Sequence, residues 1–199
     1  KVDLEIEVFS GESEARFGFY GAVFDLPEND YAVIDIGGGS TEVSFFDKEE
    51  FSFQSMDFGS VKGKELFFTE QVQKDKTEQY INSIWNNVSN DKLNGKTLIG
   101  LAGTPTVLAA MSKGLTDFDE NKIHGTVLSI NEVNDLTERL LSMDEKEILT
   151  MGRIMIGRED IIKPGAMILR SCMTQFGFDK IIVSTKGARD GVFMYLVKS

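Results

Sequence analysis

The sequence predicts an α/β domain: a mixed sheet that begins as an antiparallel meander and is flanked by helices. Three observations point there. Residues 31–36, 42–46 and 50–56 are strand-like runs rich in β-branched and aromatic side chains, joined by a glycine turn and by the short acidic turn Asp47-Lys48-Glu49. Further along, the strand-like runs 97–101 and 180–183 are each followed by a helical pattern. Finally, 199 residues, 41% of them hydrophobic, suffice for one sizeable core, so a single domain is expected.

The elements follow in order. Leu4-Glu5-Ile6-Glu7-Val8 alternates apolar and acidic residues, as in a strand with one wet face. Residues 11–23 read as a helix carrying Glu14, Ala15 and Arg16, and Pro27-Glu28-Asn29-Asp30 as a turn. After the meander a helix starts near Gly59. Another is signalled by Ile81, Ile84, Trp85 and Val88, which helical spacing puts on one face. Residues 97–101 return to strand, and Ala102-Gly103-Thr104-Pro105 opens a helix to about Lys113, with Thr104 as its N-cap and Pro105 in its first turn. Ser129 and Glu132 have capping-box spacing ahead of Val133, Leu136 and Leu140, and Asp144 with Glu147 offers a second box. A helix over about 160–175, the strand 180–183 and a helix from near Ala188 complete the chain. There are no internal repeats, low-complexity segments or long linkers. Three strands, helix, strand, helices, strand, helix is the order of an actin-like, ribonuclease H-type half. Ligands of that architecture gather where glycine loops and helix N-termini meet strand ends, which here are residues 37–41, 102–104 and 184–187.

Composition narrows the function classes. The single cysteine, Cys172, excludes an internal disulfide framework and agrees with a reducing, cytoplasmic compartment. No apolar run approaches the roughly 18 residues that span a bilayer, and Lys1-Val2-Asp3-Leu4 does not resemble a signal peptide, so no membrane partner is expected. The start without Met, already heading into a strand, reads as a fragment of something longer. A formal charge of −11 argues against nucleic acid as a partner, because sequence-independent binding relies on a basic surface. Any polyanion must be held by local amides, by a metal ion or by basic groups outside this chain. His124 is the only histidine, which rules out a multi-histidine zinc site or a histidine-based triad built from this chain.

The stretch richest in chemistry is Asp35-Ile36-Gly37-Gly38-Gly39-Ser40-Thr41-Glu42. Gly37, Gly38 and Gly39 carry no Cβ to hold an anion away, and their amides can converge as a nest. Ser40 and Thr41 add hydroxyl donors. Gly-Gly-Gly alone also suits a tight hairpin, but acids at both ends and strands on both sides point toward a phosphate and metal site.

These residues resemble a known family. Ser10-Gly11-Glu12-Ser13-Glu14-Ala15-Arg16, then residues 35–42, Ala102-Gly103-Thr104, His124-Gly125 and residues 184–191 occur in the order and with spacing compatible with the exopolyphosphatase and guanosine pentaphosphate phosphohydrolase (Ppx/GppA) family. The resemblance covers the second of that family's two core domains and implies that an amino-terminal actin-like domain, with its own phosphate loop, is the partner of this chain. It also admits a homodimer. The implied activity is a Mg²⁺-dependent release of terminal phosphate from inorganic polyphosphate or from guanosine pentaphosphate, the nucleotide of the stringent response.

Position by position, the resemblance implies that Glu14 is the base activating the attacking water. A carboxylate within about 3 Å of that water is what such a step requires; taken alone, Glu14 reads as a solvated helix acid. Asp35 and Glu42 match the acids that help place Mg²⁺ and phosphate, and a hard cation suits carboxylates without His or Cys; taken alone they read as a turn-capping residue and an exposed strand acid. Gly37, Gly38, Gly39, Ser40 and Thr41 form the implied first phosphate loop, and Gly103 with Thr104 a second at a helix N-terminus. Pro105 departs from the pattern by removing one amide. His124 reads as architectural, Lys186 as a solvated loop lysine, and Arg189 with Gly191 matches the closing Arg-x-Gly. The stripe Met167, Ile168, Cys172 and Met173 is ordinary helix core. Two other functions share these features: half of an actin-like ATPase or sugar kinase, and a non-catalytic phosphate-binding regulatory domain.

Overall fold

A computed structural model describes residues 8–27, 30–68 and 73–198. Among the described residues, six strands form one sheet: β1 Tyr31–Ile36, β2 Thr41–Asp47, β3 Glu50–Met56, β4 Thr97–Leu101, β5 Val127–Ser129 and β6 Lys180–Val183, in the spatial order β3-β2-β1-β4-β6-β5. β1, β2 and β3 pair antiparallel, as the meander requires. β4 joins β1 and β6 joins β4 in parallel, while β5 closes the far edge antiparallel to β6. The result is the mixed α/β sheet that the strand pattern predicts.

Side-chain alternation divides β1 between two cores. Ala32, Ile34 and Ile36 face the larger core, which also holds Val107 and Leu108 of α5 (Gly103–Ser112) and Met167 and Ile168 of α9 (Ile162–Phe176). Tyr31 and Val33 face a smaller core with Ile99, Leu101 and Phe19 of α1 (Gly11–Val23). With both faces covered, β1 reads as an almost unbroken apolar run.

Helix α1 starts at Ser10, whose Oγ accepts from the Ser13 amide at 3.2 Å. It packs on α10 (Ala188–Lys198). This crossing brings backbone against backbone: a Cβ at Gly21 would lie 1.9 Å from the Gly187 carbonyl oxygen, and one at Gly191 only 2.0 Å from that of Phe17. On the opposite face α9 is the central helix, contacting α5 together with α2 (Ser60–Phe67), α3 (Lys74–Ile84) and α7 (Ile130–Ser142). Short helices α4 (Asn90–Leu93), α6 (Glu120–Ile123) and α8 (Glu145–Leu149) complete the connections. Both capping boxes form: Glu132 accepts from the Ser129 amide at 2.8 Å and Glu147 from that of Asp144 at 2.7 Å.

The structure departs from the sequence reading at several places. Residues 4–7 of the first expected strand, and Glu28 and Asn29 of the turn, lie outside the described residues. Thr104 is not the N-cap of α5. That position is Ala102, at φ +66° with no side-chain cap, because the chain passes from β4 straight into the helix and the reversal falls on this one residue. The expected helix through Val88 stops at Ile84 and tightens into a 3₁₀ turn, Trp85–Asn87. Trp85 is anchored there by its Nε1 donating to Ser171 Oγ of α9 at 2.9 Å and by edge-on contact with Phe176, so Trp85 and Val88 are both buried without further α-helix. Strand β5 was not foreseen: it is three residues long and its last residue is also the N-cap of α7.

Candidate functional site

Strand register assembles the floor of the site. Asp35 on β1 lies opposite Glu42 on β2, which lies opposite Ser55 on β3, and Leu101 of β4 continues the same line. The neighbouring line on this face is Ile99, Val33, Ser44 and Phe53. Helix α1 roofs one side with Glu14, Ala15, Gly18 and Phe19. Together with Gly37 and Ser40 these residues line a cavity of about 440 Å³. The site thus brings together Glu14, Asp35 and Glu42 from a helix and two strands that are separate in sequence.

The electrostatics of this cavity are acidic. Burial, reinforced by the negative charges of Glu42 and Glu14, pushes the Asp35 carboxyl up to about 6. None of the three acids forms an ion pair among the described residues. Arg16, close by in sequence, is turned to Glu12 and over the Phe51 ring. Also among the described residues, no three of His, Cys, Asp and Glu come close enough to cage a metal by themselves.

The glycine turn is pinned to the helix behind it. The Gly37 amide donates to the Ser40 carbonyl at 3.0 Å, which makes Gly38 and Gly39 the turn proper. The Gly37 carbonyl accepts from the Ser60 amide at 2.9 Å and from Ser60 Oγ at 3.1 Å, and the Gly38 carbonyl accepts from the Val61 amide at 2.9 Å, so the loop caps α2. Only glycine fits at position 59, where a Cβ would stand 2.5 Å from the Gly37 oxygen. These contacts correct the reading of the loop as an open nest of amides. The Gly37 amide is taken up inside the turn, and none of Gly37, Gly38 and Gly39 has the positive φ that an alternating nest uses. Gly39 is exposed at the tip and lines neither cavity described here. Thr41 is also corrected: it is fully buried and its Oγ1 donates to the Phe58 carbonyl at 2.8 Å, so its hydroxyl is turned away from any ligand.

Gly103 and Thr104 line a second cavity, of about 230 Å³, with Gly37, Gly38 and Ser60. Gly37 belongs to both cavities, so the turn is the wall between them. The N-terminus of α5 opens here beside the strained Ala102, and the Pro105 ring does not line the cavity but packs over Gly100. The sequence reading missed Arg158, which also lines this cavity. Its guanidinium lies over Gly103, where a Cβ would stand 1.7 Å from Nη1, and it forms no ion pair among the described residues. An unpaired guanidinium beside a helix N-terminus and a glycine turn is a setting for an anion.

The third expected ligand place, residues 184–187, is not part of either cavity. The Gly187 amide donates to Asp190 Oδ2 at 3.0 Å and the Lys186 amide to Ser184 Oγ at 3.2 Å. Lys186 itself is half-buried over the Phe24 ring and 3.8 Å from Glu120, rather than solvated. His124 has the expected architectural setting: Nε2 lies 3.2 Å from Asp25 beyond α1 and Nδ1 accepts from the Thr185 amide at 3.2 Å. Gly191 serves the α1–α10 crossing.

Comparison with known proteins places this geometry in context. A family model described as the Ppx/GppA phosphatase family matches residues 1–199. Exopolyphosphatase 2 of Mycobacterium tuberculosis is 27% identical over 208 residues, covering 96% of this chain and 63% of that protein. A bifunctional 3-dehydroquinate synthase/phosphatase of Fusobacterium nucleatum is 31% identical over 193 residues, covering 91% of this chain and 29% of its own length. Among solved structures, the Aquifex aeolicus Ppx/GppA family member superposes with a TM-score of 0.86 at 27% identity, over 98% of this chain and 65% of that one. The chain spans less than two thirds of the length of these relatives.

Proposed function

Because this chain belongs to the Ppx/GppA phosphatase family, we propose that it is one lobe, the second of two, of a phosphohydrolase that releases terminal phosphate from inorganic polyphosphate or guanosine pentaphosphate. The observation that carries this reading is the convergence of Glu14, Asp35 and Glu42 on one cavity whose far wall is the glycine turn. Among the described residues its lining holds acids and no cation, so the other lobe would supply the facing wall and the basic groups that a polyanion needs.

In this mechanism a water molecule between Glu14 and the terminal phosphoryl group attacks in line. Its oxygen forms the new P–O bond, its proton passes to the Glu14 carboxylate, and the bond from phosphorus to the bridging oxygen breaks, so that the shortened chain leaves with that oxygen. Gly38 of the turn, the α5 N-terminus and Arg158 would hold phosphate oxygens in the second cavity. Asp35 and Glu42 fit a Mg²⁺ ion: their donors are all oxygen, they face each other across one register pair, and burial leaves Asp35 short of compensating charge. Two carboxylates without a full protein cage suit an ion that keeps water and phosphate oxygens as its remaining ligands. Bound there, Mg²⁺ would neutralise charge on the phosphoryl oxygens.

Asp35→Asn and Glu42→Gln are expected to raise the Mg²⁺ concentration needed for half-maximal polyphosphate hydrolysis by the two-lobe protein; unchanged Mg²⁺ dependence in both removes the metal role from this pair. Asp35→Asn should at the same time stabilise this chain at pH 7 in the absence of divalent ions. A carboxyl held near 6 in the fold, against 3.8 when free, takes up protons on folding between those values, so stability falls as the pH rises through that window. At about 1.4 kcal/mol per pH unit, the penalty removed by Asn is up to about 3 kcal/mol, read as a higher denaturant midpoint at pH 7 and little difference near pH 3.5.

Arg158→Ala is expected to weaken binding of tripolyphosphate to this chain by at least about tenfold, the scale of one lost charge-assisted pair. Calorimetric titration at fixed ionic strength measures it. Equal affinity would leave Arg158 as a packing residue over Gly103.

A further inference from the structure

The line of residues across the sheet floor does not end with the acids. Ser55 lies directly opposite Glu42, and its Oγ donates to Glu42 Oε1 at 2.8 Å. Among the described residues β3 is the edge strand, so the polar line Asp35, Glu42, Ser55 runs to the rim of the sheet, and all three side chains line the cavity that also holds Glu14.

Two features set this contact apart from a chance surface hydrogen bond. First, directly opposed residues of an antiparallel pair have Cβ atoms held about 4.5–5.5 Å apart by the ladder itself. A serine hydroxyl on one and a carboxylate on the other therefore meet without either backbone adjusting. Second, Ser55 is the sole side-chain donor to Glu42 among the described residues. A glutamate on a strand otherwise samples several rotamers, and the entropy lost on ordering it opposes binding. A donor on Oε1 selects one of them and leaves Oε2 available.

We propose that Ser55 is a positioning residue for Glu42: its hydroxyl holds one carboxylate oxygen so that the other is presented beside Asp35 to a divalent cation. This rests on reading Glu42 as a cation-holding acid. Ser55 itself touches neither the cation nor the phosphoryl group, and its action is through the carboxylate, as partners behind metal ligands commonly act.

Mn²⁺ is the probe, because the signal of the free ion in electron paramagnetic resonance reports binding without any turnover. The unmodified chain, Ser55→Ala, Ser55→Thr and Glu42→Gln are titrated alike, with melting temperature as the folding check. Ser55→Ala is expected to weaken Mn²⁺ binding about tenfold, with Glu42→Gln weakening it at least as much, and Ser55→Thr, which keeps the hydroxyl, staying within about twofold of the unmodified chain. Melting temperatures should barely move, since Ser55 is exposed on the edge strand. If Glu42→Gln weakens binding while Ser55→Ala does not, or if Ser55→Thr is as weak as Ser55→Ala, the positioning role is wrong and the cation reading stands. If Glu42→Gln binds Mn²⁺ as the unmodified chain does, or the unmodified chain binds none, the cation reading falls and this inference falls with it.

Discussion

Glu14→Gln in the two-lobe protein is expected to lower polyphosphate turnover by at least about 100-fold, the usual scale for loss of a general base, with substrate binding largely kept. The amide matches the carboxylate in size and still forms hydrogen bonds, so what disappears is the proton acceptor. The place of Glu14 favours this outcome. It stands on the first turn of α1 in the lining of the cavity that also holds Asp35 and Glu42, and outside every ion pair among the described residues. Single-turnover rates separate the chemical step from binding. Turnover equal to that of the unmodified protein would return Glu14 to the solvated face of its helix and would take the water-activation step with it.

The second large effect is expected far from the chemistry. Gly191→Ala places a methyl 2.0 Å from the Phe17 carbonyl oxygen, a backbone atom that no rotamer change can move aside. The α1–α10 crossing must open, which costs on the order of 1–3 kcal/mol for overpacking of this kind. For a chain of this size that lowers the melting temperature by about 2–4 °C per kcal/mol. The same opening lifts α1 from the sheet and carries Glu14 with it. Misplacement by about 1 Å is enough to lose roughly 100-fold in rate, so turnover should fall by more than the loss of folded protein explains. Gly11→Ala is the control: it lies on the same helix, and a Cβ there meets nothing within 4 Å. Should Gly191→Ala melt and turn over as the unmodified protein does, the crossing is not what holds Glu14 in place.

What the sequence makes legible is what is local. Short runs rich in β-branched, aromatic and other apolar residues locate β1, β3, β4 and β6 to their end residues, and the Ser129 and Asp144 boxes mark helix starts because the capping partners are three residues apart. The cavity acids were legible only as far as the motif order went: Asp35 and Glu42 flank a turn, but the distance from Glu14 to that turn is a matter of how α1 folds back over β1. The inward turn of Thr41 is legible in the alternation of β2. Along β2, Thr41 shares its face with Val43 and Phe45, both buried in the larger core, whereas Glu42 and Ser44 point into the cavity. Alternation alone would have sent the Thr41 hydroxyl inward. Arg158 had no such signal. It follows Gly157 in an irregular stretch, and nothing within it says that the guanidinium returns to Gly103, more than fifty residues earlier. The conformation of Ala102 was equally hidden, since alanine is an ordinary helix former and φ +66° is imposed by the abrupt exit from β4.

The anchoring of the glycine turn on α2 changes how a phosphate ligand would be met. Three glycines in a row would ordinarily be the most mobile stretch of a chain, and a ligand that had to freeze them would forfeit about 1–2 kcal/mol of backbone entropy for each. Here the freezing happens on folding: Ser60 and Val61 hold the Gly37 and Gly38 carbonyls, and the absent side chain of Gly59 lets them come that close. The turn is preorganised, so a phosphate would keep the ordering free energy as affinity. It also follows that Gly59, which lines neither cavity, would influence phosphate affinity at a distance by setting how loose the empty turn is.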